Sequence, residues 1–148
     1  MKTKELVAKA PVTVQCDLTL RESAALMDSG NVGALLVLDG ARLVGIVTDR
    51  DIVVRAVAGA YPPDARIDSV MSTDVVTVDA DDDVREAYRV LGTHGVRRLP
   101  VLEGDRIVGM LTVDDLLVAL ATDLERLVHP VIGEMVFGHH PAPVPALP

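Results

Sequence analysis

An eight-residue stretch occurs twice in this chain. Gly45-Ile46-Val47-Thr48-Asp49-Arg50-Asp51-Ile52 returns as Gly109-Met110-Leu111-Thr112-Val113-Asp114-Asp115-Leu116, 64 positions later. The register holds well outside the motif. Val12-Thr13-Val14 matches Val76-Thr77-Val78, Arg21-Glu22 matches Arg85-Glu86, Val37-Leu38 matches Val101-Leu102, and Gly40 matches Gly104. Residues 12–52 and 76–116 share 16 identities over 41 ungapped positions. Such self-similarity is a tandem duplication, and it fixes the architecture before any local propensity is weighed. A unit of about 60 residues buries a poor core by itself, so the two copies are expected to pack on one another.

Each copy reads strand, helix, strand, turn, strand, helix. Val12-Thr13-Val14 is a short β-branched strand. Asp17 and Asp81 are placed as helix N-caps ahead of apolar positions at helical spacing, and Gly30-Asn31 and His94-Gly95 as the helix ends. Ala34 to Leu38 is an unbroken apolar run, as suits a strand covered on both faces. Asp39-Gly40 and Glu103-Gly104-Asp105 are turns, and Arg42 to Val47 is the returning strand. Residues 3–9 form a short helix or turn whose counterpart is Ile67 to Met71. Thr122-Asp123-Leu124-Glu125 resembles a capping box, and Pro130 is expected to interrupt the helix that contains it. The resulting fold class is α/β of the α+β type. Its segments are residues 3–58 and 67–121 as the repeats, 59–66 as linker, 122–138 as a helical extension and 139–148 as a mobile Pro-rich tail.

Composition narrows the function. Fourteen Lys and Arg against 22 Asp and Glu give a net charge of −8, which lacks the basic footprint of a nucleic-acid binder. With no Trp, one Phe and two Tyr there is no aromatic platform for bases. No apolar run reaches bilayer length, no signal peptide is visible at Met1 to Leu6, and the single Cys16 fits a reducing compartment. These features imply a cytoplasmic protein without nucleic-acid or membrane partners. No P-loop, dinucleotide fingerprint or Ser-His-Asp order is present, so no enzyme role is assigned. His139-His140 make a poor metal site, because no carboxylate or Cys cluster accompanies them.

Two stretches, "GIVTDRDI" and "VRRLPVLEGDRIVGMLTVDDLL", carry a resemblance to the CBS domain family over residues 3–120. The resemblance implies that the two repeats form one pseudo-two-fold module, often called a Bateman module, and that two modules pair into a homodimer. It further implies an adenosine-containing ligand such as AMP, ADP, ATP or S-adenosylmethionine in clefts between the repeats.

The motif itself has two readings. Thr48-x-x-Asp51 and Thr112-x-x-Asp115 suit helix caps, worth about 1 kcal/mol each, and need no ligand to explain them. The same groups suit a nucleotide. Free backbone N–H groups at a helix start attract an anion, and an ionised carboxylate accepts two ribose hydroxyls. Ile46 and Met110, with Val12, Val32, Val76 and Val96, offer apolar walls for a purine. The copies differ in charge: Gly33-Ala34 faces Arg97-Arg98 in the alignment, and Asp49-Arg50 faces Val113-Asp114. The resemblance implies that each cleft takes its Thr and Asp from one repeat and part of its wall from the other, so the cleft on Thr48 and Asp51 would gain Arg50 and, across the interface, Arg97. The cleft on Thr112 and Asp115 carries the extra carboxylate of Asp114, which disfavours polyphosphate. A ligand-free interaction protein stands as the alternative. For the sensor reading a separate effector protein is expected, because no effector domain is recognised.

Overall fold

A computed structural model describes residues 1–137; the Pro-rich stretch 139–148, His139 and His140 lie outside the described residues. The chain divides into two compact units, residues 1–112 and the segment from Val113 on. The first holds both sheets. In the first repeat, β1 (Thr13–Gln15), α1 (Leu20–Ser29), β2 (Ala34–Asp39) and β3 (Arg42–Thr48) lead into α2 (Asp49–Asp51), which runs on as a π-helical segment, Ile52–Val57. The second repeat supplies β4 (Val78–Asp79), α3 (Val84–His94), β5 (Arg98–Glu103) and β6 (Arg106–Thr112). Each sheet has three strands, in the orders β1-β2-β3 and β4-β5-β6; the first pair is parallel and the second antiparallel. The α+β reading holds, and so does the central strand: Leu35, Leu36 and Val37 are fully buried on both faces of β2, as are Leu99, Pro100 and Val101 of β5.

The duplication is carried into the hydrogen bonds. The 3₁₀ turn Ile67–Ser69 precedes the second repeat yet belongs to the core of the first, where Ile67 packs with Val14, Leu35, Val37 and Val47. Ile67 N–H donates to Leu18 O (2.7 Å) and Leu20 N–H to Ala65 O (2.9 Å). Sixty-four residues out of phase, Thr3 N–H donates to Asp82 O (2.9 Å) and Val84 N–H to Met1 O (2.9 Å), so the turn Thr3–Leu6 docks on the second repeat. The repeats therefore exchange their lead-in segments, which is why neither is expected to be stable alone.

This exchange explains the motif glycine. Gly45 pairs with Val37 and Gly109 with Val101, each beside a β-bulge. A Cβ on Gly45 would lie 2.4 Å from Met71 Sδ, and one on Gly109 would lie 2.0 Å from Val7 Cγ1. Met71 and Val7 are equivalent positions of the two lead-in segments, and each segment crosses the bare face of the other repeat's glycine.

Three local expectations are corrected. The N-caps are Thr19 and Asp83, two residues beyond Asp17 and Asp81. Thr19 forms a reciprocal box with Glu22 (Glu22 N–H to Thr19 Oγ1 3.2 Å, Thr19 N–H to Glu22 Oε2 3.0 Å), which satisfies two helix-end donors at once. Asp81 is instead held by Lys2 and Lys4 at 2.8 and 2.7 Å. In the second unit, α4 (Val113–Phe137) runs through Pro130 without a break. Proline keeps a helical φ and forfeits one backbone bond, and the Leu, Ala, Glu and Arg residues before it are strong helix formers. Thr122 lies inside α4 and donates its hydroxyl to Val118 O (2.9 Å), so no capping box opens there.

Hydrogen bonds from Lys2 and Lys4 depress the Asp81 carboxyl from an ordinary value of 3.8 to about 2. A depressed carboxylate stabilises the fold above its unfolded value, and the contribution is lost as pH falls through the folded one. The Tm advantage of wild type over Asp81→Asn is thus expected to be constant above about pH 5 and to vanish between pH 4 and 2, as read by thermal denaturation. An advantage that persists at pH 2 refutes the Lys–Asp81 clamp.

Candidate ligand cleft

A cavity of about 300 Å³ opens between the repeats within the first unit. One wall is the end of β3, with Ile46 and Thr48. A second is the lead-in stretch Ser72 to Val76. The third is the start of β5, with Val96, Arg97 and Arg98. Ser72 is bound to β3 by a two-way backbone bridge: Ile46 N–H donates to Ser72 O (3.0 Å) and Ser72 N–H to Ile46 O (2.9 Å). The exchanged segment is therefore a structural wall of the cavity, supplied by the chain that leads into the second repeat.

Thr48 is the N-cap of α2, with extended φ and ψ of −106° and 162°. Asp51 N–H donates to Thr48 Oγ1 (3.1 Å), and Thr48 N–H donates to Asp51 Oδ2 (2.9 Å). The capping reading of the motif is thus realised in this copy. It leaves capacity for more. The Thr48 hydroxyl has accepted a bond and still has its proton to donate. An ionised carboxylate has about four lone-pair sites, and this bond uses one of them. Arg55 Nε lies 3.7 Å from Asp51 Oδ1, and Arg55 Nη1 donates to Val70 O (3.0 Å) and Ser72 Oγ (3.2 Å).

Of the residues singled out in the sequence, Ile46, Thr48, Val76, Val96 and Arg97 line this one cavity. Asp51 stands behind Thr48 rather than in the lining. Arg50 is exposed, its N–H donating to Asp49 Oδ1 (2.8 Å), and is not a lining residue. Gly33 lies beside the cleft rather than in its lining: a Cβ there would meet Asp49 Oδ2 at 3.4 Å and Arg98 Nη2 at 3.5 Å, ordinary van der Waals contact, so space does not require glycine at this position. Ser72, Thr73, Asp74, Val75 and Arg98 are wall residues that motif reasoning did not assign to the cleft. Asp74 takes a left-handed φ of 41°, a conformation that Asp tolerates better than most residues. In the 64-residue register Val75 falls opposite Pro11, and nothing local marks Ser72.

In the second copy, Thr112 closes β6 in the first unit, and Asp114 and Asp115 stand in the first turn of α4 in the second. Met110 lies in β6 opposite Pro100. Val12 and Val32, the equivalents of Val76 and Val96, approach each other beside Gly30 and pack on the first core. Among the described residues no group of three His, Cys, Asp or Glu side chains is placed to hold a metal, and no helix is long and apolar enough to cross a membrane.

Paired three-stranded repeats that exchange their lead-in segments around a shared cleft define a tandem-repeat module. The chain belongs to the CBS domain family, whose model matches residues 4–57 and 67–122. It is 33% identical over 115 residues to the CBS domain-containing protein YhcV of Bacillus subtilis, covering 78% of this chain and 82% of that one. Among solved structures, the CBS domain protein PAE2072 from Pyrobaculum aerophilum complexed with AMP superposes with a TM-score of 0.72 at 29% identity, covering 82% and 99% of the two chains. The CBS domain pair of protein MJ0100 in complex with 5'-methylthioadenosine and S-adenosyl-L-methionine gives 0.74 at 25% identity, covering 83% and 98%.

Proposed function

We propose that this chain is a regulatory module that binds an adenosine-containing ligand in the cleft on Thr48 and Asp51, catalyses no reaction, and passes its state to a separate protein. One observation carries the reading: a single cavity gathers the Thr48 hydroxyl, the apolar side chains of Ile46, Val76 and Val96, and the guanidinium-bearing Arg97 and Arg98. Its volume sits at the lower end of the ~300–1,000 Å³ range of ligand pockets, a size that suits a nucleoside with few phosphates. In this assignment the purine lies between the valines and Ile46, the ribose hydroxyls bond to Asp51, and phosphate meets Arg97, Arg98 and the Thr48 hydroxyl. AMP, ADP, ATP and S-adenosylmethionine are the candidate ligands; solved relatives complexed with AMP and with S-adenosyl-L-methionine support that list.

We also assign the chain to a cytoplasmic homodimer, with residues 122–138 and the dimer face as the contact for the effector. Ligand would act by favouring one arrangement of the repeats over another. The test is thermal denaturation with each candidate ligand. A ligand at 100 times its Kd adds about 2.7 kcal/mol, so AMP is expected to raise Tm by roughly 8 °C. The realised Thr48–Asp51 cap favours a second reading, a ligand-free scaffold, and no shift with any of these ligands selects it.

A further inference from the structure

We propose that Arg55 is a positioning residue that carries changes at the Asp51 carboxylate to the wall of the cleft. Its use by a ligand rests on the cleft reading above; the relay itself does not. Arg55 lies in the π-helical segment Ile52–Val57, a winding that recurs at functional sites. Its guanidinium meets three groups on two segments of the chain, the motif helix and the lead-in stretch that walls the cleft. Nε faces Asp51 Oδ1 at 3.7 Å, and Nη1 donates to Val70 O (3.0 Å) and Ser72 Oγ (3.2 Å). Asp51 is bonded to Thr48, and Ser72 is bonded in both directions to Ile46. Thr48, Asp51, Arg55, Ser72 and Ile46 thus close a ring, with β3 joining its ends. The ring has one long link, the Arg55–Asp51 pair, and that pair is the point at which a diol on Asp51 would compete.

A guanidinium suits the task because its rigid fork serves two acceptors while facing a carboxylate; a lysine ammonium is a point charge. The equivalent position of the second copy is Ala119, so the other motif has no such arm. The segment that Arg55 grips runs on through Thr73 to Val76 into the second repeat. A change at the ribose subsite would therefore reach the junction of the repeats through one side chain.

The test is amide hydrogen exchange at Ser72 in the full chain, without ligand, in wild type, Asp51→Asn, Arg55→Ala, the double variant and Arg55→Lys. Coupled positions in such networks typically shift local equilibria by about 2- to 30-fold. Arg55→Ala is expected to speed Ser72 exchange about tenfold relative to the β5 amides, with Arg55→Lys intermediate. Asp51→Asn is expected to speed it about fivefold when Arg55 is present and to have no further effect when it is absent. An Asp51→Asn effect of equal size in both backgrounds overturns the relay, and so does uniform acceleration in both sheets. Non-additive exchange in a chain that binds none of AMP, ADP, ATP and S-adenosylmethionine upholds the relay and overturns the ligand reading. Where AMP binds, Arg55→Ala is expected to weaken it about tenfold by calorimetry, and unchanged affinity denies the ligand any use of the relay.

Discussion

Gly109→Ala is expected to lower Tm by roughly 10 °C, an effect out of proportion to one methyl group. Overpacking a close-packed contact costs about 1–3 kcal/mol, and about 3 °C accompanies each kcal/mol in a chain of this size. The upper end applies here because the added Cβ would lie 2.0 Å from Val7 Cγ1 and 2.9 Å from Val7 Cβ. Valine is stiff about χ1 and cannot swing clear, so the whole lead-in segment has to lift. Gly45→Ala is expected to cost less, since the atoms met first are Met71 Sδ and Cγ, the end of a flexible side chain, with the Ser72 carbonyl at 3.0 Å behind them. Val7→Ala in the Gly109→Ala background is expected to recover half the loss, because it removes both Cγ atoms. A Gly109→Ala Tm within 2 °C of wild type, or a Val7→Ala change that deepens the loss, defeats the account of the motif glycine as a crossing point.

The elements that were legible in the sequence are those whose cause is local or duplicated. The two central strands announce themselves as apolar runs, the turns as Asp-Gly and Glu-Gly-Asp, and the Thr48 cap as Thr-x-x-Asp. What was hidden depends on partners far along the chain. Asp81 fits an N-cap by its neighbours alone, but two lysines 77 and 79 residues away claim it, and Asp83 caps the helix instead. Asp17 yields to Thr19 because Glu22 stands at the box spacing. Ser72 to Val75 carry no signature, since they become a cavity wall only through the bridge to Ile46. Arg98 carries no motif signal of its own, yet it lines the cavity beside Arg97. Pro130 reads as a stop by local rule, and the helix-forming sequence before it overrides that rule.

Asp51→Ala is expected to weaken AMP binding about 100-fold, the largest functional effect of any single change in the cleft. In the proposed pose the carboxylate accepts two ribose hydroxyls, and each hydrogen bond to a charged group contributes about 1.5–3 kcal/mol. A loss of about 3 kcal/mol corresponds to roughly two decades in Kd. Part of the alanine effect would come through the cap, because Thr48 N–H also relies on Asp51 Oδ2. Asp51→Asn separates the two contributions: it keeps one oxygen for the cap and loses the charge, and about a tenfold weakening is expected. Asp115→Ala is expected to cost less than Asp51→Ala, since Arg97 and Arg98 line the first cleft and Asp114 adds a carboxylate beside the second motif. Calorimetric titration of the three variants with AMP and ATP decides the matter. Equal losses at Asp51 and Asp115, or a greater loss at Asp115, refute the asymmetry, and full affinity in Asp51→Ala removes the ribose from the carboxylate altogether.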